Sequence, residues 1–474
     1  MTLDSTFARR WFDDALSGLT DAREFINALN VFPVADADTG TNVVQTLKAG
    51  ARAAKDLPQT AAVDEYARVF ADGALRGARG NSGIIVAQSF QAVAAAFEGA
   101  QVVEPVVLVR AFDAIALGAR RALAAPVEGT IVTVAQDVAD AVLLLPPPLS
   151  IRGVVSTALA AATDSLERTT LLLPALRETG QVDAGALCYV MLITALARAV
   201  GIPAVEKPEW FVAGVRAGMS EDERSDFEVM YLVRATHRDA TVLRTRLNEI
   251  GTSVVVVGGK DQLWHVHVHL AHPAAALSEM PMSQVVVRTL DPSRRGLVAA
   301  TTAPHLLEPL AAAGAVAVLG ADEQTFLRAA QDAAASEVLI LPCSEESAAA
   351  ARNAIAHATE DSITVTVGET RDDLGVYEGA ALHAVGAGVD LDPERRVHRI
   401  DGLDPAAIRR GVDAAAGALV ATRPAVITVL VGSALNAHQA ARHLVALVRA
   451  GSPETETYVI PGGQEAPALL VSAI

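Results

Sequence analysis

The stretch from Asn30 to Asn42, NVFPVADADTGTN, constrains this chain more than any other. Asp36 and Asp38 stand two apart, and Thr39-Gly40-Thr41-Asn42 opens the apolar-periodic run Val43, Val44, Leu47. The pair is therefore expected in a loop just ahead of a helix N-terminus, where both carboxylates can face one ligand. Hard oxygen donors without a neighbouring Cys or His suit Mg²⁺, which is commonly held by one or two carboxylates together with substrate phosphates. The free N–H groups of the helix start add an anion-binding element beside the metal. Taken alone, the same residues also read as an Asp-rich turn that caps a helix.

A second stretch, Gly77-Ala78-Arg79-Gly80-Asn81-Ser82-Gly83, is a glycine-rich turn feeding the apolar run Ile84, Ile85, Val86, Phe90. Glycines let backbone N–H groups approach a phosphate closely. It is not a Walker A loop, because Lys48, Lys55, Lys207 and Lys260 are the only lysines and none ends a GxxxxGK[ST] pattern.

With both motifs in place the chain resembles the DhaL-type (DAK2) kinases, in the form of the bacterial fatty acid kinase A family, whose motifs usually read NVFPVPDGDTGTN and GARGNSG. Ala35 and Ala37 stand where Pro and Gly are usual. Pro126-Val127-Glu128-Gly129-Thr130-Ile131 and Val182-Asp183-Ala184-Gly185-Ala186 follow in the family's order. The resemblance is specific over about residues 1 to 203 and thinner beyond. It implies a helical barrel with the nucleotide site where the loops gather. Asp36 and Asp38 would hold two Mg²⁺ ions, with Asn30 near a third oxygen ligand. Thr39, Thr41, Asn42, Gly80, Asn81, Ser82 and Gly83 would hold the ATP phosphates, and Gly129, Thr130, Asp183 and Gly185 would border the nucleotide. Arg79 would be the catalytic cation, or else a surface Arg beside the loop.

Length allows two or three domains, each with its own core. A net charge of −17 argues against nucleic acid or an anionic membrane as the main partner. No basic-plus-apolar leader and no apolar stretch of membrane-spanning length is seen, so a cytoplasmic protein is expected. Cys188 and Cys343 are the only cysteines and lie in apolar surroundings, which points to buried free thiols.

Helical periodicity runs through residues 5 to 29, 62 to 75, 83 to 98, 104 to 123, 130 to 144, 150 to 167 and 183 to 200, without strand signals. The expected fold is multidomain: an all-α kinase domain over 1–205, a small α/β middle domain over 206–292, and a C-terminal α/β domain over 293–474. Pro203 and Pro208 close the first. In the second, strands at 227–235, 253–257 and 263–270 flank a helix at 239–250. His265, His267 and His269 alternate with Trp264, Val266 and Val268 and so share one strand face. Similar proteins bind zinc there through a His-x-His pair, matching His267 and His269, plus a Cys whose position aligns with Glu228. The other reading of these residues is a solvated polar sheet face. From Gly296 to Val367 strands alternate with helices, which indicates a largely parallel sheet, and a helix at 405–420, a strand at 425–431, a helix at 434–449 and a strand at 456–460 follow. The family's C-terminal domain is DegV-like.

The resemblance implies ATP-dependent transfer of a phosphoryl group to the carboxylate of a fatty acid presented by a separate DegV-like binding protein, and a homodimer. Two other functions stay open: a dihydroxyacetone kinase-like small-molecule kinase, against which stands the lack of a His-bearing substrate domain, and a nucleotide-binding regulatory subunit without turnover.

Overall fold

The structure, a computed structural model, describes residues 3–32, 37–123, 126–202, 227–258, 261–290, 296–320, 322–333, 335–358, 363–389, 391–392, 395–402 and 404–474. Asp36 lies outside the described residues, as do Pro203, Pro208 and the expected boundary at 205. The chain forms two compact units, Met1–Ser225 with Leu232–His269, and Asp226–Tyr231 with Leu270–Ile474.

The first unit begins with helices α1 (Ser5–Asp21), α2 (Arg23–Ala28), α3 (Thr39–Ala54), α4 (Val63–Arg76), α5 (Gly80–Ala96), α6 (Pro105–Ala122), α7 (Ile131–Leu143), α8 (Ile151–Leu172), α9 (Pro174–Thr179) and α10 (Ala184–Ala199). The expected all-α start is what forms. The single helix expected over 5–29 is broken at Ala22, whose φ −92° and ψ 0° end α1 while the apolar spacing runs on unchanged. Phe12, Phe70 and Phe90 bring α1, α4 and α5 together, with Phe12 stacked on Phe70 at 4.1 Å and Phe90 edge-on to both. Each such pair adds roughly 0.5–1.5 kcal/mol beyond its buried area. Trp11 Nε1 donates to the Leu192 carbonyl at 2.9 Å, tying α1 to α10. α10 is apolar on nearly every face and is buried accordingly.

Strand β1 (Phe227–Arg234) belongs in part to each unit, and α11 (His237–Ile250), β2 (Thr252–Gly258) and β3 (Leu263–Leu270) follow. β2 and β3 pair antiparallel, and Val255 and Val257 of β2 join the core of the helices.

The second unit holds β4 (Met282–Thr289), β5 (Leu297–Thr301), α12 (Leu307–Ala312), β6 (Val316–Leu319), α13 (Glu323–Asp332), β7 (Glu337–Leu341), α14 (Glu345–Ala358), β8 (Thr364–Val367), α15 (Asp373–Ala384), β9 (Arg396–Ile400), α16 (Pro405–Thr422), β10 (Val426–Val431), α17 (Ala437–Gly451), β11 (Glu456–Pro461) and β12 (Leu469–Ala473). β6, β5, β7 and β8 are parallel neighbours and β4 joins β6 antiparallel. A second sheet has the order β11-β10-β12-β9, with only β10 and β11 parallel. The largely parallel sheet expected over 296–367 is what β6-β5-β7-β8 form. β9 and β12, where no strand is expected from sequence, pair antiparallel in the second sheet. No described helix is long and apolar enough to cross a membrane.

Candidate active site at the helix N-termini of the first unit

α3 and α4 form an antiparallel pair and α5 runs back alongside, so α3 and α5 start at the same end. Their starts touch. A Cβ on Gly80 would lie 2.3 Å from Asn42 Nδ2, and one on Gly83 would lie 2.5 Å from Thr46 Oγ1. Gly80 also has φ +53°, so glycine is required there for both space and backbone conformation. Thr46 Oγ1 donates to the Asn42 carbonyl at 2.7 Å and accepts the Arg79 N–H at 3.3 Å, which joins the two motifs through one buried hydroxyl.

Asp38 is the N-cap of α3, yet its side chain makes no capping bond. Its Oδ1 accepts from Asn42 Nδ2 at 2.8 Å instead, one turn along. The carboxylate is thus held at the positive end of a helix, a placement worth roughly 0.3–1 kcal/mol. Thr41 is engaged from α2: its N–H donates to Asn27 Oδ1 at 3.0 Å, and Asn27 Nδ2 donates to Thr41 Oγ1 at 3.0 Å. Asn30 is buried beside this pair in sequence, with its N–H donating to the Asn27 carbonyl at 3.1 Å. Thr39 is buried at the same helix start.

Arg79 is 5% exposed, which rules out the surface reading of this residue. It is the N-cap of α5 and offers no side-chain cap, so the first-turn N–H groups over Gly80, Asn81 and Ser82 have no such partner. Asn81 Oδ1 is buried without a hydrogen-bond partner. Such an orphaned oxygen fits a site that awaits a ligand.

The starts of α7 and α10 close the ring. Thr130 caps α7, accepting the Val132 N–H at 3.4 Å, and Asp183 caps α10, accepting the Ala186 N–H at 2.7 Å. A Cβ on Gly185 would lie 3.7 Å from Ser82 Oγ and 3.8 Å from Ile131 Cβ, so α5, α7 and α10 meet at that glycine. Gly129, at φ +87°, would place a Cβ 2.8 Å from Leu172 Cβ, and its N–H donates to Thr133 Oγ1. Glu128 accepts from Thr133 and Arg120, and these bonds, the Thr133 hydroxyl first, hold its carboxyl below the usual range. Burial pushes the Asp183 carboxyl up to about 6, although backbone N–H groups of Ala186, Ile131 and Gly185 pull the other way.

Apart from Asn30, which follows the end of α2, the site residues read from sequence and described in the structure in the first unit thus lie at or beside connected helix starts. α7 and α10 are capped by their own N-cap side chains; α3 and α5, which carry the two motifs, are not. Asn27, Thr46 and Thr169 were not legible as site residues, because an Asn or Thr inside an amphipathic helix gives no sign of the neighbour it will bond.

In the middle region His265, His267 and His269 are 1%, 1% and 3% exposed, which overturns the solvated-face reading. His267 and His269 approach Nε2 to Nε2 at 3.0 Å. Glu228 is 1% exposed and accepts from the buried Arg288 guanidinium.

Residues 33–198 match the family model of the DAK2 domain, and residues 224–284 match that of the middle domain of fatty acid kinase A-like proteins. Protein YloV of Bacillus subtilis is 32% identical over 295 residues, covering 58% of this chain and 53% of YloV. An uncharacterized protein of Staphylococcus saprophyticus is 37% identical over 184 residues, covering 38% of this chain and 33% of its own. An uncharacterized protein of Staphylococcus epidermidis is 30% identical over 271 residues, with 54% and 49% covered. The chain spans about half the length, or less, of these curated relatives. Among solved structures, the dihydroxyacetone kinase from C. freundii in complex with AMP-PNP and Mg²⁺ is similar at a TM-score of 0.33 and 20% identity, over 42% of this chain and 35% of that one.

Proposed function

From a chain that carries a DAK2 domain followed by a fatty acid kinase A-like middle domain, we propose an ATP- and Mg²⁺-dependent kinase that phosphorylates the carboxylate of a fatty acid presented by a DegV-like binding protein. One observation carries this reading: the starts of α3 and α5, neither capped by its own N-cap side chain, abut, with the Asp38 carboxylate held at the first by Asn42. Backbone N–H groups at a helix start suit phosphate oxygens, and a carboxylate beside them suits the cation that accompanies a nucleotide.

Asp38 would hold Mg²⁺, joined by Asp36 and Asn30 as the sequence motif implies, and two ions fit that ligand number. Bound Mg²⁺ supplies neutralisation of the phosphate charge that builds in the transition state. The first turn of α5, Gly80 to Gly83, would receive phosphate oxygens. Arg79 would screen the approach of one anion to another, and Gly129, Thr130 and Gly185 would border the nucleotide. In the transfer, a carboxylate oxygen bonds to the γ-phosphorus as its bond to the β–γ bridging oxygen breaks, giving acyl phosphate and ADP. A fatty acid is ionised at neutral pH, so no general base is required.

Zinc is the second reading, for the middle region. Two buried imidazoles with nitrogens 3.0 Å apart suit a shared cation, and Glu228 would be the third ligand. Arg288 already gives Glu228 a positive partner, so the imidazoles are the stronger part of the set.

The deciding assay supplies fatty acid on the host's DegV-like protein, ATP and Mg²⁺, and traps acyl phosphate with hydroxylamine. Carrier-dependent ADP release with hydroxamate formation is expected. ADP release driven by dihydroxyacetone would favour the small-molecule kinase, and nucleotide binding without turnover would favour the regulatory role.

A further inference from the structure

In the second unit α16 and α17 pack against each other, and between their first turns lies a cavity of about 280 Å³. Ile408 of α16 and Ala440 of α17 form its base. Ala440 ends at a methyl group where Leu444, one turn further on the same face, carries a full side chain into the core, so the space beside Ala440 is left unfilled. The rim is polar. Arg409 comes from α16, Gln439 and His443 come from α17, and Asn436 is the N-cap of α17. Asn436 spends no side-chain bond on that helix. Among the described residues, Arg409, Asn436 and Gln439 make no side-chain hydrogen bond or ion pair. His443 Nε2 lies 3.4 Å from Asp413 Oδ1, so Asp413 has a partner of its own and does not neutralise Arg409.

We infer that this cavity is a binding site for a small organic carboxylate with an apolar body, the carboxylate on Arg409 and the body over Ile408 and Ala440. The lining selects this class. A planar guanidinium meets a carboxylate through two parallel N–H donors, and an Arg without an acidic partner favours an anion over a cation. The amides of Asn436 and Gln439 supply further donors at the same rim. An apolar base adds affinity only for a ligand that brings apolar surface to it, which separates an organic acid from an inorganic anion. The volume lies just below the range of about 300–1,000 Å³ typical of small-molecule sites, which suits a single ring or a short chain rather than a nucleotide. No lining residue belongs to the candidate active site, so the inference does not rest on the kinase reading.

The test uses the full chain and ligand-observed saturation-transfer NMR, with benzoate and hexanoate as probes and benzylamine and inorganic phosphate as counter-probes. The inference expects saturable binding of benzoate or hexanoate and none of benzylamine at the same concentrations. Arg409→Ala should weaken that binding by about tenfold or more, the scale of losing a charge-assisted bidentate contact. Ala440→Leu, which fills the base, should abolish it at an unchanged melting temperature. Arg442→Ala removes an exposed charge of α17 that does not line the cavity and should leave binding as it was. Failure of both probes to bind would overturn the inference, as would binding indifferent to Ala440→Leu or weakened equally by Arg442→Ala, which would mean attraction to surface charge in general. Displacement of benzoate by an equal concentration of phosphate would overturn the apolar half of the site and leave a bare anion contact. Should Ala440→Leu not fold, Arg409→Glu reverses the charge at an exposed position, and undiminished benzoate binding in that variant would likewise overturn the inference.

Discussion

Asn42 donates through Nδ2 to Oδ1 of Asp38 at 2.8 Å across the first turn of α3, so the motif aims its own carboxylate. The bond spends the Asn42 amide on orienting that carboxylate at the start of α3.

Replacing Asp38 with Asn should therefore lower Mg²⁺-dependent turnover by about a hundredfold or more, the scale of losing one preorganised charge-stabilising group. Asn42→Ala, which removes one bond that orients the carboxylate, should lose about tenfold. Thermal melting of both should stay near that of the unaltered protein. Full turnover in Asp38→Asn would remove the metal assignment.

Gly80→Ala tests the contact between the two motifs. The backbone there has φ +53°, which costs a non-glycine residue about 1–2 kcal/mol, and the new methyl would press on Asn42 Nδ2. We expect a lowered melting temperature together with turnover reduced to the level of Asn42→Ala, since displacing Asn42 breaks its bond to Asp38. A stable variant with normal turnover would show that the two helix starts do not constrain each other.

The raised carboxyl of Asp183 fixes the sign of a pH effect. Its ordinary value is 3.8 and burial takes it to about 6, so the folded chain binds the proton more tightly than the unfolded chain. Its contribution to stability is complete below about 4, is lost as pH rises through about 6, and is constant above. Urea unfolding of Asp183→Asn and the unaltered protein should therefore diverge between these limits, by on the order of 3 kcal/mol for a carboxyl raised that far. Parallel stability curves across that window would contradict the burial argument.

For the middle region, purified protein should contain about one zinc per chain, and His267→Ala should remove it. Glu228→Gln separates ligand from ion-pair partner: retained zinc would mean that Glu228 serves Arg288 alone. Zinc-free protein whose melting is indifferent to chelators would leave His267 and His269 as a buried hydrogen-bonded pair.

The sequence by itself determined the helical start, because a period of 3.6 is a local property that burial reinforces; the glycine-rich turn it read over 77–83 is shorter in the structure, where Gly80 to Gly83 are already the first turn of α5. It also placed Asp38, Gly80, Asn81 and Ser82 ahead of or at helix N-termini, where the structure has them. Only the tertiary structure decided that those helices begin at one end and touch. The packing of Gly80 on Asn42, Gly83 on Thr46 and Gly185 on Ser82 depends on helix approach, which a pattern of apolar residues does not specify. Tertiary structure likewise decided that Arg79 and the three histidines of β3 are buried, since alternation shows that side chains share a face but not what covers it. The break at Ala22 and the strands β9 and β12 were settled by the tertiary structure as well, where packing outweighs weak local preference.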